Sequence, residues 1–299
     1  MRIKETALTI FSVIIFNSCN PYIKGRFATI DNNVCKKLSG KVVIYAIFVD
    51  TKYTKPWTSF DILSTLDSIK VATKWIEKKA TEYSNSTTID IVYHQAKKII
   101  PISKNLPQKS LYKTLITTSP LFGIKRTDNW ANSIAIEAGK SFSPDTSSIT
   151  KTKIIIKDRE RLIARLRDIY KVENVALMFF VNNYFMEDIS AVVHAASNDD
   201  NAEYGIVSYK TPAIIAHEFL HLFGAMDLYT TPWDKKRNAK KKKEWAMKEF
   251  PNEIMAFTHR HIDSLEIGQF TRYLVGWDKT LNEEYRKKLL GRNIYPLKY

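Results

Sequence analysis

The chain has 299 residues, 44% hydrophobic and 26% charged, so it can bury a sizeable core and is not a globally disordered sequence. Its formal charge of +15 favours acidic partners, lipid headgroups or nucleic acid. Finger spacings, the paired aromatics of an RNA-recognition sheet and a Gly-rich phosphate loop are all missing, so no nucleic-acid partner is expected.

The first residues read as a targeting segment. Arg2 and Lys4 precede the apolar stretch ALTIFSVIIF at 7–16, which is too short to span a bilayer stably. It runs into Phe16-Asn17-Ser18-Cys19, and residues 1–18 resemble a bacterial lipoprotein signal, in which the cysteine is acylated and becomes the new N-terminus. Ser18 fits that pattern, whereas Phe16 and Asn17 match it less well. The other reading is a plain secretory signal whose cleavage site contains a cysteine. With lipid on Cys19, Cys35 is the only thiol left and no internal disulfide is expected. Residues 19–40 are polar and irregular and suit a tether. The expected location is the cell envelope, lipid-anchored to a bacterial membrane and facing either the periplasm or the surface.

Folding signals begin at 41–50, KVVIYAIFVD, a β-branched and aromatic run that reads as a buried strand. Over 59–83 the apolar residues Ile62, Leu63, Leu66, Ile69, Ala72, Trp75 and Ile76 recur at helical spacing, which predicts a long amphipathic helix. Residues 88–95 alternate and predict a second strand. Between 96 and 150 the Ser/Thr/Pro-rich flanks suggest long loops around a helix at 128–138. A basic helix, RERLIARLRDI, is expected within 154–169, followed by short strands at 174–181, 190–196 and 204–209. Thr211-Pro212 opens a further helix, with Thr as cap and Pro at the first helical position. After Gly224 the periodicity breaks. The run KKRNAKKKK at 235–243 is strongly basic, and a last helix pair is expected at 265–277 and 282–290.

The chemistry is concentrated in AIIAHEFLHLFGAMDLY, residues 213–229. On a helix, His217 and His221 project from one face about a turn apart, the spacing two imidazoles need to bind one zinc ion. Glu218 follows His217, placed to hold a water rather than the metal. A random chain of this length yields H-E-x-x-H roughly once in two hundred cases. Gly224, three residues after His221, suits a tight turn ending the helix, and Asp227 follows three residues later. Met255 lies downstream in PNEIMAF.

The pattern H-E-x-x-H-x-x-G-x-x-D with a downstream methionine turn resembles the metzincins, zinc endopeptidases that include astacins and snapalysins. Most members have a third His where this chain has Asp227; the snapalysin branch has Asp. The resemblance implies one zinc ion on His217, His221 and Asp227, Glu218 as general base for a zinc-activated water, and Met255 as a hydrophobic floor. The specific motif covers about 217–257. The implied fold is α+β and zincin-like: a mixed twisted sheet, a long backing helix, an active-site helix, and a smaller, mostly irregular or helical C-terminal subdomain. Residues 41–225 would form the N-terminal catalytic subdomain, with 96–173 as an insertion, and 226–299 the C-terminal one. Some metzincins carry a Tyr two residues after the turn methionine. Here that position is Phe257, so a transition-state donor would have to come from Tyr273 or Tyr229, unless zinc alone polarises the carbonyl.

Blander readings stand beside these. Asp227 is alternatively a turn cap or an orienting group. In a different class of zinc hydrolase, the third ligand would be a downstream Glu such as Glu244, Glu249 or Glu253. His259 and His261, just after Met255, read as surface residues or as alternative ligands, and His94 and His194 as strand residues without a partner to give them a role. The 235–243 run reads as a solvated segment or as a contact with anionic headgroups beside the anchor. The implied partner is a peptide or protein, its extended backbone pairing with an exposed edge at 190–196, and the protein is expected to be a monomer. The competing function is a non-catalytic, zincin-fold binding lipoprotein at the envelope.

Overall fold

A computed structural model describes residues 35, 37–94, 99–116, 120–142, 155–182, 189–193, 202–208, 210–230 and 237–290. The leader, Cys19 and His194 lie outside them. The fold is mixed α+β, built on a mixed sheet of six strands: β1 (Gly40–Asp50), β2 (Thr87–Tyr93), β3 (Ile102–Ser103), β4 (Asn174–Val181), β5 (Ala191–Val193) and β6 (Tyr204–Val207). The order is β2-β1-β4-β6-β5, with β3 also pairing β1. All pairings are parallel except that of β5 with β6, which leaves β5 at an edge.

The central strands β1 and β4 are apolar at nearly every position because both faces of the sheet are covered. Val42, Ile44, Ala46 and Phe48 of β1 join Ala176, Met178 and Phe180 of β4 in one core. The helices on that side are α1 (Ser59–Glu82) and the motif helix α5 (Pro212–Leu222). The alternate residues, Val43, Tyr45, Ile47 and Val49 with Leu177 and Phe179, face a second core. That core is closed by α3 (Pro120–Gly139) and α4 (Arg159–Tyr170), while α2 (Leu111–Ile116) packs on α3.

The stretch expected to be an insertion therefore supplies one of the two helical layers. Its helix starts eight residues before the expected 128, at Pro120. Trp130, Ala131, Ile134, Ala135 and Ala138 fall at helical spacing and are buried. Each large side chain buried this way contributes about 1.5–3 kcal/mol.

The long backing helix appears where its periodicity places it. Thr58 caps α1: its side chain accepts the Asp61 N–H while Asp61 accepts the Thr58 N–H, a reciprocal capping box. Asp61 also accepts from Asn182 at the end of β4, so the cap is tied to the sheet.

In the C-terminal part, α6 (Arg237–Glu249) forms across the basic run. The expected 265–277 helix is only α7 (Gln269–Leu274), preceded by a 3-10 turn at Ile262–Ser264. Residues 282–290 form the short α8 (Glu283–Tyr285) and a π turn, Arg286–Leu290. Gly268 stands at the N-cap of α7 with an extended ψ, so the expected helix begins only after it. Among the described residues, no helix is long and apolar enough to cross a membrane.

Candidate metal centre

Helix α5 is almost entirely buried, and its polar residues His217, Glu218 and His221 are buried with it. A helix apolar on all sides has to be enclosed, and α5 is: α1 packs along it and β6 leads into it. Thr211 is the N-cap and Pro212 the first helical residue as expected, although the Thr211 side chain makes no capping bond. The helix ends at Phe223. Gly224 has φ +94°, a left-handed conformation that a side chain disfavours, and the chain turns back there.

That turn completes a three-residue group. The Nε2 atoms of His217 and His221 are 3.0 Å apart. Asp227 Oδ1 is 3.2 Å from the first and 3.0 Å from the second. Both rings are held from behind: His221 Nδ1 lies 2.7 Å from the Ala225 carbonyl and His217 Nδ1 3.2 Å from the Ile254 carbonyl. A carbonyl only accepts, so each Nδ1 carries a proton and donates it. Each Nε2 of a neutral ring then presents a lone pair toward the other and toward the carboxylate oxygen. Three acceptors at 3 Å repel one another unless a cation lies among them.

A proton shared within the group can play that part. Burial disfavours the charged form of His217, but its hydrogen bond to Asp227 and the charges of Glu218 and Asp227 outweigh burial, and its pKa is raised. Asp227 is pushed up by burial yet held well below the usual carboxylate range by His221 and His217. The group also fits a metal: imidazole nitrogens and a carboxylate oxygen about 2.0–2.1 Å from one zinc would stand roughly 3.3–3.4 Å apart. Small side-chain adjustments bridge that difference. These three residues could hold a metal ion, one ligand atom from each.

Glu218 stands beside the group without joining it. It is buried, its Oε2 has no hydrogen-bond partner among the described residues, and burial pushes its pKa up to about 8 despite the nearby His217. A buried carboxylate with an unused oxygen next to a ligand cluster is free to take or give a proton.

The remaining candidates lie partly around this group and partly away from it. Tyr229 lies with its ring centroid 6.0 Å from that of His217. Tyr273 is buried on α7, with the Arg286 guanidinium 6.0 Å from its ring. Met255 is fully buried in the turn after α6, and its carbonyl accepts the Leu228 N–H at 2.8 Å. Glu244, Glu249, His259 and His261 are exposed. His94 is buried beside the Tyr45 hydroxyl at 3.3 Å, just past β2. Cys35 is buried against the Val175 carbonyl.

Glu253 is buried, and its carboxylate is bound to other groups than the His217–His221–Asp227 trio. Its oxygens accept from the Gly268 N–H at 2.6 Å, the Thr271 hydroxyl at 3.1 Å and the Met255 N–H at 3.3 Å. Burial raises its pKa to about 7, and these bonds with the Arg272 charge only partly offset that.

No protein-family model matches the chain, and no curated protein is significantly similar to it.

Two contributions to the site escape any sequence reading. The carbonyls of Ala225 and Ile254 do their work as backbone, which every residue type carries. Lys243, inside the run expected to be solvated, donates from Nζ to the Asp227 carbonyl.

Proposed function

We propose that this chain is a zinc endopeptidase of the metzincin type. The observation that carries the reading is the convergence of His217 Nε2, His221 Nε2 and Asp227 Oδ1 within 3.0–3.2 Å, with both Nδ1 positions committed to carbonyls. Asp227, rather than a downstream Glu, completes the set. A zinc ion held there would act as a Lewis acid toward a carbonyl and lower the pKa of water to about 7.

Glu218 serves as the base. Its burial favours the neutral carboxyl, and a cation within the adjacent group favours the carboxylate that a base requires. Glu218 takes a proton from the attacking water and returns it to the leaving amine. Tyr229, beside His217, is the better placed of the two tyrosines to donate to the developing oxyanion. The substrate backbone pairs with β5, whose outer edge is free among the described strands.

The test is zinc content and peptide-library cleavage by residues 20–299, before and after chelation. One zinc per chain, with cleavage lost on chelation and restored by zinc, is expected. One zinc without cleavage would move the reading to a metal-holding binding protein, and no zinc would overturn it.

The envelope location and the lipid on Cys19 belong to this proposal, as does a membrane contact through α6. On that helix Arg237, Lys240, Lys241 and Lys242 are exposed while Lys243 turns inward to Asp227. Each basic residue near an anionic surface contributes about 1 kcal/mol. Unlipidated protein should therefore bind anionic vesicles in a salt-dependent way that weakens when those lysines are neutralised. Binding indifferent to both changes would sink the idea.

A further inference from the structure

We infer that Glu253 is a positioning residue for the metal site: its carboxylate fixes the turn whose carbonyls hold His217 and the Asp227 loop. The inference rests on the metal reading only for its metal-binding consequence; the effect on His217 does not need an ion.

The turn after α6 meets both ligand-bearing segments with consecutive carbonyls. Ile254 presents its carbonyl to His217 Nδ1 at 3.2 Å, and Met255 presents its carbonyl to the Leu228 N–H at 2.8 Å, one residue past Asp227. His217 and Ile254 are 37 residues apart in the chain, so nothing local sets that contact. The turn is held by its own first residue. The Glu253 carbonyl accepts the Ala256 and Phe257 N–H groups at 2.9 and 3.0 Å. Its carboxylate reaches forward to the Met255 N–H and across to the Gly268 N–H and Thr271 hydroxyl at the start of α7. One buried side chain thus clamps the turn to α7, and Ile254 N–H adds a bond to the Glu266 carbonyl at 3.0 Å.

Gly268 points the same way. A Cβ there would sit 2.5 Å from Glu253 Oε2, although the backbone, with φ −69°, accepts any residue. The position has no room for a side chain because the carboxylate is pressed against it. A carboxylate accepts at both oxygens; an amide of the same shape must turn an NH2 toward at least one of these donors. Glu253→Gln therefore keeps the volume and breaks the clamp on one side. Partners that orient a ligating histidine typically change metal affinity about 10–100-fold when lost.

The experiment compares wild type, Glu253→Gln and Thr271→Val in two measurements. Long-range 1H–15N spectra of the metal-free protein report which His217 nitrogen carries the proton. Cobalt titration reports affinity, and the visible bands of the cobalt protein report ligand geometry. Thr271→Val removes one donor to Glu253 but leaves both N–H bonds, so it controls for simple loss of stability.

The expected result is a shifted His217 tautomer balance, cobalt affinity lower by about 10–100-fold and altered bands in Glu253→Gln, with Thr271→Val close to wild type. If Glu253→Gln does not fold, Gly268→Ala, which displaces the carboxylate without changing it, should give the same shifts. Unchanged His217 spectra and affinity in a folded variant would overturn the inference, as would equal effects from Thr271→Val. A wild type that binds no cobalt would overturn the metal reading alone, because the His217 spectra would still decide the role of Glu253.

Discussion

Glu218→Gln should lower peptide cleavage by about 10²–10⁴-fold, the range attributed to a single general base, while zinc content stays at the wild-type level. The substitution is close to isosteric and leaves untouched the three atoms that could hold a metal. It removes the ability to accept a proton at Oε2, the oxygen that has no hydrogen-bond partner among the described residues. Fluorogenic-peptide kinetics with parallel zinc analysis would check both halves. Wild-type cleavage in the Gln variant would show that another group is the base.

The same variant has a stability signature in metal-free protein. Burial raises the Glu218 pKa to about 8, from an ordinary value near 4.5. The folded state therefore binds a proton more tightly than the unfolded one. Its contribution is fully present below the unfolded pKa and is lost as pH rises through about 8. Between pH 5 and 8, metal-free wild type should lose stability relative to the Gln variant, which has no such group to ionise. Denaturant unfolding with a chelator at the two pH values would show it, and parallel pH profiles would contradict the assignment.

The second large effect is expected from Asp227→Ala, which should reduce zinc affinity by more than about 100-fold, beyond the loss typical of residues that merely orient ligands. Asp227 would supply both a ligand oxygen and the only negative charge in the group of three. Its side chain is partly exposed, and the carbonyl that receives Lys243 survives the substitution, so the fold should tolerate the change. Competition with a chelating dye would measure the affinity. Glu244→Gln and Glu249→Gln, at exposed positions, should leave it unchanged. Affinity within threefold of wild type in Asp227→Ala would remove Asp227 from the ligand set.

Much of this architecture was legible from local patterns. A helix of 3.6 residues per turn puts residues four apart on one face, so H-E-x-x-H alone brings His217 and His221 together. Gly224 marks the end of that helix because a left-handed φ is needed to reverse the chain. The apolar run of β1 announces a strand covered on both faces, and Ile62, Leu66, Ile69 and Ile76 announce the helix that covers one of them. These features depend on neighbours within a turn or two.

The role of residues 96–173 was not legible in that way. Polar flanks around 128–138 look like loops, and only the sheet's second face shows that α3 and α4 close a core of their own. The shortened α7 is comparable: Gly268, whose N–H is taken by the Glu253 carboxylate, is extended, and the expected helix begins only after it.

By itself, then, the sequence determined the spacing of the two imidazoles, the carboxyl group of Glu218 beside them and the acid six residues on. Local backbone geometry dictates those placements wherever the helix forms. Only the tertiary structure decided that Asp227 rather than Glu253 faces the histidines. It also decided that Ile254 locks His217, that Lys243 leaves the basic run for the Asp227 carbonyl, and that Tyr229 rather than Tyr273 lies beside the site. Those contacts depend on where a turn tens of residues away is packed, and several are made by backbone atoms that leave no mark on residue identity.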